Sequence, residues 1–327
     1  MTRSPQMRRL AKWAAVVVLA ITAVYFFGAV RHHFDSIPPI RWDAPAWAAM
    51  AATVFAMFLN LVLGGLMWML LLRDQGVNLK PVVAFRMVGM AQIAKYLPGN
   101  VGHLVGQVTL ASAAGVPVGV SVTAMLISTL WLLATGLCMG GAGLLLFLDT
   151  TAVLDVPVPS APVMAALGAL VALSPWIAVW LLNRLLPGLS RRLGNGQLIA
   201  LPRFHTAVAV ACGFILCFFV FGVMLKLQAR YLFGVSEGDV LTLTLMFTSA
   251  WIAGYLLPGA PGGLGVREAL VVALLGSVVG TGTAIGLSVT MRLATVLGDG
   301  LAFLVGLSLR WLSPADTAPA APSAPRP

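Results

Sequence analysis

Leu257-Pro258-Gly259-Ala260-Pro261-Gly262-Gly263-Leu264-Gly265-Val266-Arg267-Glu268-Ala269 interrupts an apolar run near the end of the chain. Proline removes a backbone donor and glycine loosens the helix, so the run is expected to break into two half-helices that meet at a turn. The same punctuation occurs upstream, in Tyr96-Leu97-Pro98-Gly99-Asn100-Val101-Gly102. The first break lies between apolar segments 81–97 and 101–116, the second between 241–256 and 264–279. Each of these four is shorter than the ~20 residues that cross a bilayer. The other apolar segments, 13–30, 46–72, 118–148, 161–183, 206–225 and 282–310, are long enough to cross about 30 Å of hydrocarbon.

Composition agrees with lipid as the solvent. Of 327 residues, 60% are hydrophobic and 9% are charged, against roughly 25% charged in soluble domains. The apolar runs are continuous rather than the ~10-residue alternation of barrel strands. The expected fold is therefore all-α: a polytopic membrane helix bundle of six full spans plus two re-entrant or broken helix pairs. Residues 1–12 read as a cytoplasmic basic N-terminus, 13–312 as the integral membrane domain, and 313–327, rich in Pro and Ala, as a disordered cytoplasmic tail. The run 13–30 is long for a signal-peptide core and reads as an uncleaved first span.

The net charge of +10 invites a nucleic-acid reading, but the placement of the charges excludes it. With a cytoplasmic N-terminus, and each broken pair returning to the side it entered from, the inside regions hold twelve Lys/Arg and two Asp. The outside regions hold four Lys/Arg and six Asp/Glu. This is the positive-inside pattern, and it places both termini in the cytoplasm of an inner-membrane protein. The first pair then starts from inside and the second from outside. Aligning Pro98-Gly99 with Pro258-Gly259 matches Gly102 with Gly262, and a long Gly-containing span follows each pair. The sequence thus carries the signature of an inverted repeat, an arrangement that builds binding sites near the midplane.

Six charged side chains remain at membrane depth: Arg86, Lys95, Arg267, Glu268, Arg292 and Asp299. Gln92, Asn100, His103 and Gln107 accompany them. An ionisable group at the bilayer centre costs at least about 2.5 kcal/mol, so each needs a partner or a wet cavity. Nearly all of them lie at the two Pro-Gly motifs or on the span after the second. His103 and Gln107 share a helix face, as do Gln92 and Lys95. Arg292 and Asp299 lie ~10 Å apart along one face and cannot pair directly, but either can meet Glu268 or Arg267. The half-helices starting at 101 and 264 present N-terminal amides that favour an anion. Four cations against two carboxylates leave an excess of +2, which suits an anionic headgroup. Two bland readings stand beside these: Glu268 as one half of a structural ion pair, and Lys95 and Arg86 as side chains that snorkel to the interface.

No GxSxG, HExxH, P-loop or nucleotide motif is present, and Gly262-Gly263-Leu264-Gly265 lacks the strand and acid of a dinucleotide site. Cys138, Cys212 and Cys217 all sit inside apolar runs, as packing residues do. The expectation is no catalysis, no cofactor and no metal.

The motifs resemble those of the lysylphosphatidylglycerol synthase transmembrane-domain family, whose best-known members form the membrane part of the bacterial multiple peptide resistance factor. The resemblance rests on 92–102 and on 257–269, the second ending in Gly-Val-Arg-Glu-Ala. It implies a membrane domain that moves lipids between leaflets, aminoacylated phosphatidylglycerol in the best-known case. Stand-alone relatives are linked to hopanoid and polyprenyl-linked pathways. No aminoacyl-transferase domain follows Leu312 in this sequence, so synthase activity is not expected. The leading expectation is a lipid translocase whose substrate-binding residues are Lys95, Asn100, His103, Arg267, Glu268, Arg292 and Asp299. Pro98, Gly99, Gly102, Pro258, Gly259, Gly262, Gly263 and Gly265 would shape its turns. Its partners would be anionic or phosphate-bearing lipids and, in one version, a lipid-synthesis enzyme. The alternatives are an intramembrane lipid-modifying transferase with Glu268 or Asp299 as base, and a non-catalytic membrane partner of such an enzyme.

Overall fold

A computed structural model describes residues 28, 31, 37–40, 42–96, 102–147, 160–256 and 265–312. These form ten α-helices: α1 (Ala44–Asp74), α2 (Pro81–Gln92), α3 (Gly102–Ala113), α4 (Val118–Phe147), α5 (Ala161–Leu185), α6 (Pro187–Leu193), α7 (Phe204–Phe233), α8 (Val240–Leu256), α9 (Val266–Val279) and α10 (Thr281–Leu312). A 3-10 turn, Ile93–Tyr96, extends α2 toward the first break. The expected first span, 13–30, lies almost wholly outside the described residues, as do Pro98, Gly99, Asn100, Pro258, Gly259, Gly262 and Gly263.

Local signals set the helix ends. Asp43 caps α1, its carboxylate accepting the Ala46 N–H at 2.9 Å, and Pro81 begins α2, where its missing N–H is harmless. Gly234 closes α7 with φ of 69°, a left-handed turn that glycine adopts without strain. Five helices, α1, α4, α5, α7 and α10, are long and apolar enough to cross a membrane. The paired helices are shorter. At 1.5 Å per residue, α2 and α3 rise about 18 Å each and α9 about 21 Å, short of ~30 Å of hydrocarbon.

Each pair folds back on itself. Gly102 and Gly106 of α3 lie against Ala94 and Ala91, and Gly254 of α8 lies against Arg267 of α9. The order of these contacts, with Gly238 just before α8 lying against Val278 near the end of α9, runs α2 antiparallel to α3 and α8 antiparallel to α9. Both Pro-Gly motifs therefore sit between the legs of helical hairpins.

The unit long helix, hairpin, long helix occurs twice, as α1–α4 and as α7–α10, and the packing is reciprocal. Leg α2 packs on α10 while leg α8 packs on α4. Helices α1 and α7 pack against each other in opposite directions: Met67 meets Gly213, Asn60 Nδ2 donates to Cys217 O at 3.3 Å, and Gln228 Nε2 donates to Thr53 Oγ1 at 3.2 Å. The first helices of the two units thus run antiparallel, as an inverted repeat requires.

With lipid outside, small residues and polar contacts hold such helices together. Along α4, Gly136, Gly140 and Gly143 face α8, and a Cβ on Gly143 would lie 2.8 Å from Leu245 O. Ser249 of α8 donates to Gly140 O at 2.8 Å. Fully buried Gln228 joins three helices, accepting from Thr290 Oγ1 of α10 at 2.7 Å while donating to Thr53 of α1. Helix α5 packs at the periphery, with most of its apolar residues exposed.

Candidate functional site

Lys95 and Tyr96 before the first break and Glu268 after the second both reach α10, and the charges converge there. From the first hairpin, Lys95 Nζ lies 2.6 Å from Asp299 Oδ2, and the Tyr96 hydroxyl donates to the same oxygen. Asp299 is fully buried. From the second hairpin, Glu268 Oε1 accepts Arg267 at 3.1 Å and lies 3.9 Å from Arg292 Nη1 of α10. Arg292 and Lys95 also stand over the Tyr96 ring, 5.8 Å and 5.3 Å from its centroid, within cation–π reach. One connected network thus joins both hairpins through a single long helix.

The start of α9 differs from the expected open anion site. Gly265, with φ of 85°, precedes the helix, and its N–H donates to Glu268 Oε2 at 2.8 Å. Glu268 reaches back three residues as the acidic half of a capping box. That terminal amide is therefore occupied by the protein's own carboxylate.

Beside the network lies a cavity of about 300 Å³, room for roughly ten water molecules. Lys95, Arg267 and Arg292 all face it, whereas Glu268 and Asp299 are not among its lining residues. The carboxylates sit behind the cations and hold them. Around these five charges the balance is three cations to two carboxylates, one net positive charge. Arg86, counted at sequence level as a fourth cation, is buried against α10 near Gly306 and does not line the cavity. The excess of +2 expected from the sequence is therefore smaller at the site itself.

Gln92, His103 and Gln107 line the cavity as their shared faces implied. Gly102 starts α3 so close to α2 that a Cβ would overlap the Ala94 carbonyl oxygen. Five of the seven expected binding residues thus belong to one cation network, His103 lines the same cavity, and Asn100 falls outside the described residues.

Several site residues escaped the sequence reading. Tyr96, within the first motif, supplies a hydroxyl to Asp299 and a ring to two cations. Asn60 and Trp68 of α1 line the cavity with unpartnered buried atoms, Oδ1 and Nε1. A lone amide inside the apolar run 46–72 was the available signal for Asn60; Trp68 gave none. On the opposite hairpin, Tyr255 shares a hydrogen bond with Thr129 of α4.

Among the described residues, no group of three or more His, Cys, Asp or Glu is placed to hold a metal ion. No curated protein matches the chain. A family model does, the lysylphosphatidylglycerol synthase TM region, over residues 12–302. That span contains both hairpins, the cation network, four of the five long helices and most of α10, so the chain belongs to the lysylphosphatidylglycerol synthase transmembrane-region family, with a function tied to membrane lipids.

Proposed function

We propose that the protein is a lipid translocase that carries a lipid with an anionic phosphate headgroup past the bilayer midplane. The observation that carries this reading is the orientation of the charges: three cations turned to a cavity, with both carboxylates behind them. Phosphate oxygens accept hydrogen bonds from Lys and Arg at such a wall, and the charge-assisted bonds that form are the strong ones. The rest of the wall is largely apolar, including Met57, Leu61, Met125, Leu132 and Phe221, and is compatible with acyl chains. The inverted pairing of hairpins supports alternating access to the two leaflets. The sequence has no nucleotide motif, so movement is passive or ion-coupled, and the lipid leaves chemically unaltered.

The transferase alternative is less well supported, because both candidate bases are already bound to cations and turned from the cavity. The test is leaflet exchange of labelled lipids in proteoliposomes. Wild type should accelerate exchange of an anionic phospholipid, and Arg267→Ala and Arg292→Ala should each reduce it about tenfold or more, with no new lipid species by mass spectrometry. Equal exchange with and without protein over a broad lipid panel would refute the reading.

A further inference from the structure

The lining of the cavity also discriminates between headgroups, given the proposal that a lipid headgroup occupies it. The chain contains ten Asp and Glu, and on the helices around the cavity only Glu268 and Asp299 sit near the site. Glu268 is engaged by the Gly265 N–H, Arg267 and Arg292, and Asp299 through Oδ2 by Lys95 and Tyr96, while Asp299 Oδ1 is buried without a hydrogen-bond partner. Among the described residues no carboxylate lines the cavity. An ammonium group on the headgroup would meet three cations and no counter-charge. The Tyr96 ring already carries Lys95 and Arg292.

The neutral part of the wall points to a partner of a different kind. Trp68 is 2% exposed and its Nε1 donor has no partner; Asn60 is 7% exposed and its Oδ1 acceptor has none. Both residues line the cavity, as does His103, whose Nδ1 is also unpartnered. Trp68 and Asn60 are eight residues apart on α1, so their groups are spread over about 12 Å of its length. Buried polar atoms in native proteins are rarely left without a partner. A hydroxyl both donates and accepts, and a group bearing several can satisfy a donor and an acceptor at separate points. Gln92 and Gln107 add two further amides to the same wall.

We propose that the site selects a phosphate headgroup bearing neutral hydroxyls, a glycerol- or sugar-phosphate, and discriminates against aminoacylated and other cationic headgroups. The test uses the full-length protein and four lipids with identical acyl chains. Phosphatidylglycerol and phosphatidylinositol carry hydroxyls; phosphatidylethanol has the same charge and none; lysyl-phosphatidylglycerol is cationic. Binding is ranked by native mass spectrometry in detergent, and exchange is followed separately in liposomes.

At least one hydroxylated anion should bind about tenfold or more tighter than the lysyl lipid, and about threefold or more tighter than phosphatidylethanol. Preference for phosphatidylglycerol identifies a glycerol-phosphate, preference for phosphatidylinositol a sugar-phosphate. Trp68→Phe, which removes the N–H and leaves a smaller aromatic ring, should narrow the gap to phosphatidylethanol and leave the gap to the lysyl lipid. Gln107→Glu should raise affinity for the lysyl lipid. Lysyl-phosphatidylglycerol binding as tightly as the anions overturns the proposal, as does phosphatidylethanol matching both hydroxylated lipids. Absence of binding to all four overturns it together with the site. If lipids bind in the expected order and none is moved, the translocase reading fails while the specificity stands.

Discussion

Asp299→Asn removes one charge from the centre of the bundle and leaves its shape nearly unchanged. In the wild type, Lys95 Nζ lies 2.6 Å from Asp299 Oδ2, with side-chain exposures of 18% and 0%. At an effective dielectric of about 20, unit charges about 4 Å apart attract by about 4 kcal/mol. Breaking a buried pair by removing one partner costs about 3–5 kcal/mol, because the other charge is left uncompensated. Lys95 keeps its contact with the Tyr96 ring and some access to the cavity, which places the loss near the lower end, about 3 kcal/mol. Lys95→Met should cost about as much, since it strands a carboxylate with no exposure. The double variant has neither charge, so it should lose only about 3 kcal/mol rather than about 6, a coupling near 3 kcal/mol. The assay is reversible unfolding in mixed micelles with increasing SDS, read by tryptophan fluorescence, with exchange in proteoliposomes measured in parallel. All three variants should lose exchange, because Lys95 is misplaced or absent. Additive losses in the double variant, or single losses below about 1 kcal/mol, would refute the reasoning that this pair is one buried unit.

Three further outcomes follow from the packing, the surface and the charge bias. Gly143→Ala should destabilise by about 2 kcal/mol in the same unfolding assay, since its Cβ would meet Leu245 O at 2.8 Å; Gly141→Ala on the same helix meets nothing within 4 Å and should be neutral or stabilising. Asp239 accepts from the Thr242 hydroxyl at 2.6 Å and from the backbone N–H groups of Thr242 and Leu241, and these bonds hold its carboxyl below the usual carboxylate range. A lowered folded-state value means that its contribution is complete above the unfolded carboxylate value of about 3.9 and fades as pH falls through the folded value. Asp239→Ala should therefore cost under about 1 kcal/mol at pH 7, with the difference shrinking in unfolding series taken below about pH 4. Finally, exposed Ser160 and Gln197 lie at opposite ends of α5–α6. Ser160→Cys should react with an impermeant thiol reagent added to intact cells and Gln197→Cys should not; the reverse pattern would invert the proposed orientation.

Hydropathy and the Pro-Gly interruptions were enough to locate the helices. Segments 46–72, 118–148, 161–183, 206–225 and 282–310 became five long helices, four of them extending past the apolar run and the second matching it nearly end to end. The hairpins were also legible, because a proline followed by glycine inside a short apolar run leaves few other conformations in lipid. The charge bias implied inverted halves, and the antiparallel contact of α1 with α7 supplies the packing that goes with them.

The pairing inside the site was another matter. From sequence, Asp299 was free to meet Arg267 or Glu268; the fold gives it Lys95 and Tyr96, over 200 positions away along the chain. Which face of α10 meets which hairpin leg depends on helix rotation and crossing, and close contacts at small residues constrain these: Gly298 of α10 lies against α1, Gly306 of α10 against α2, and Gly89 of α2 against α10. The packing of α1 and α2 likewise leaves Arg86 out of the cavity lining and includes Asn60 and Trp68, which hydropathy treats as ordinary members of an apolar span. The sequence by itself determined that charges must be buried around two broken helices, because their positions within apolar runs follow from counting alone. Only the tertiary structure decided that the carboxylates stand behind the cations, because the direction of a side chain depends on what packs against the helix that carries it.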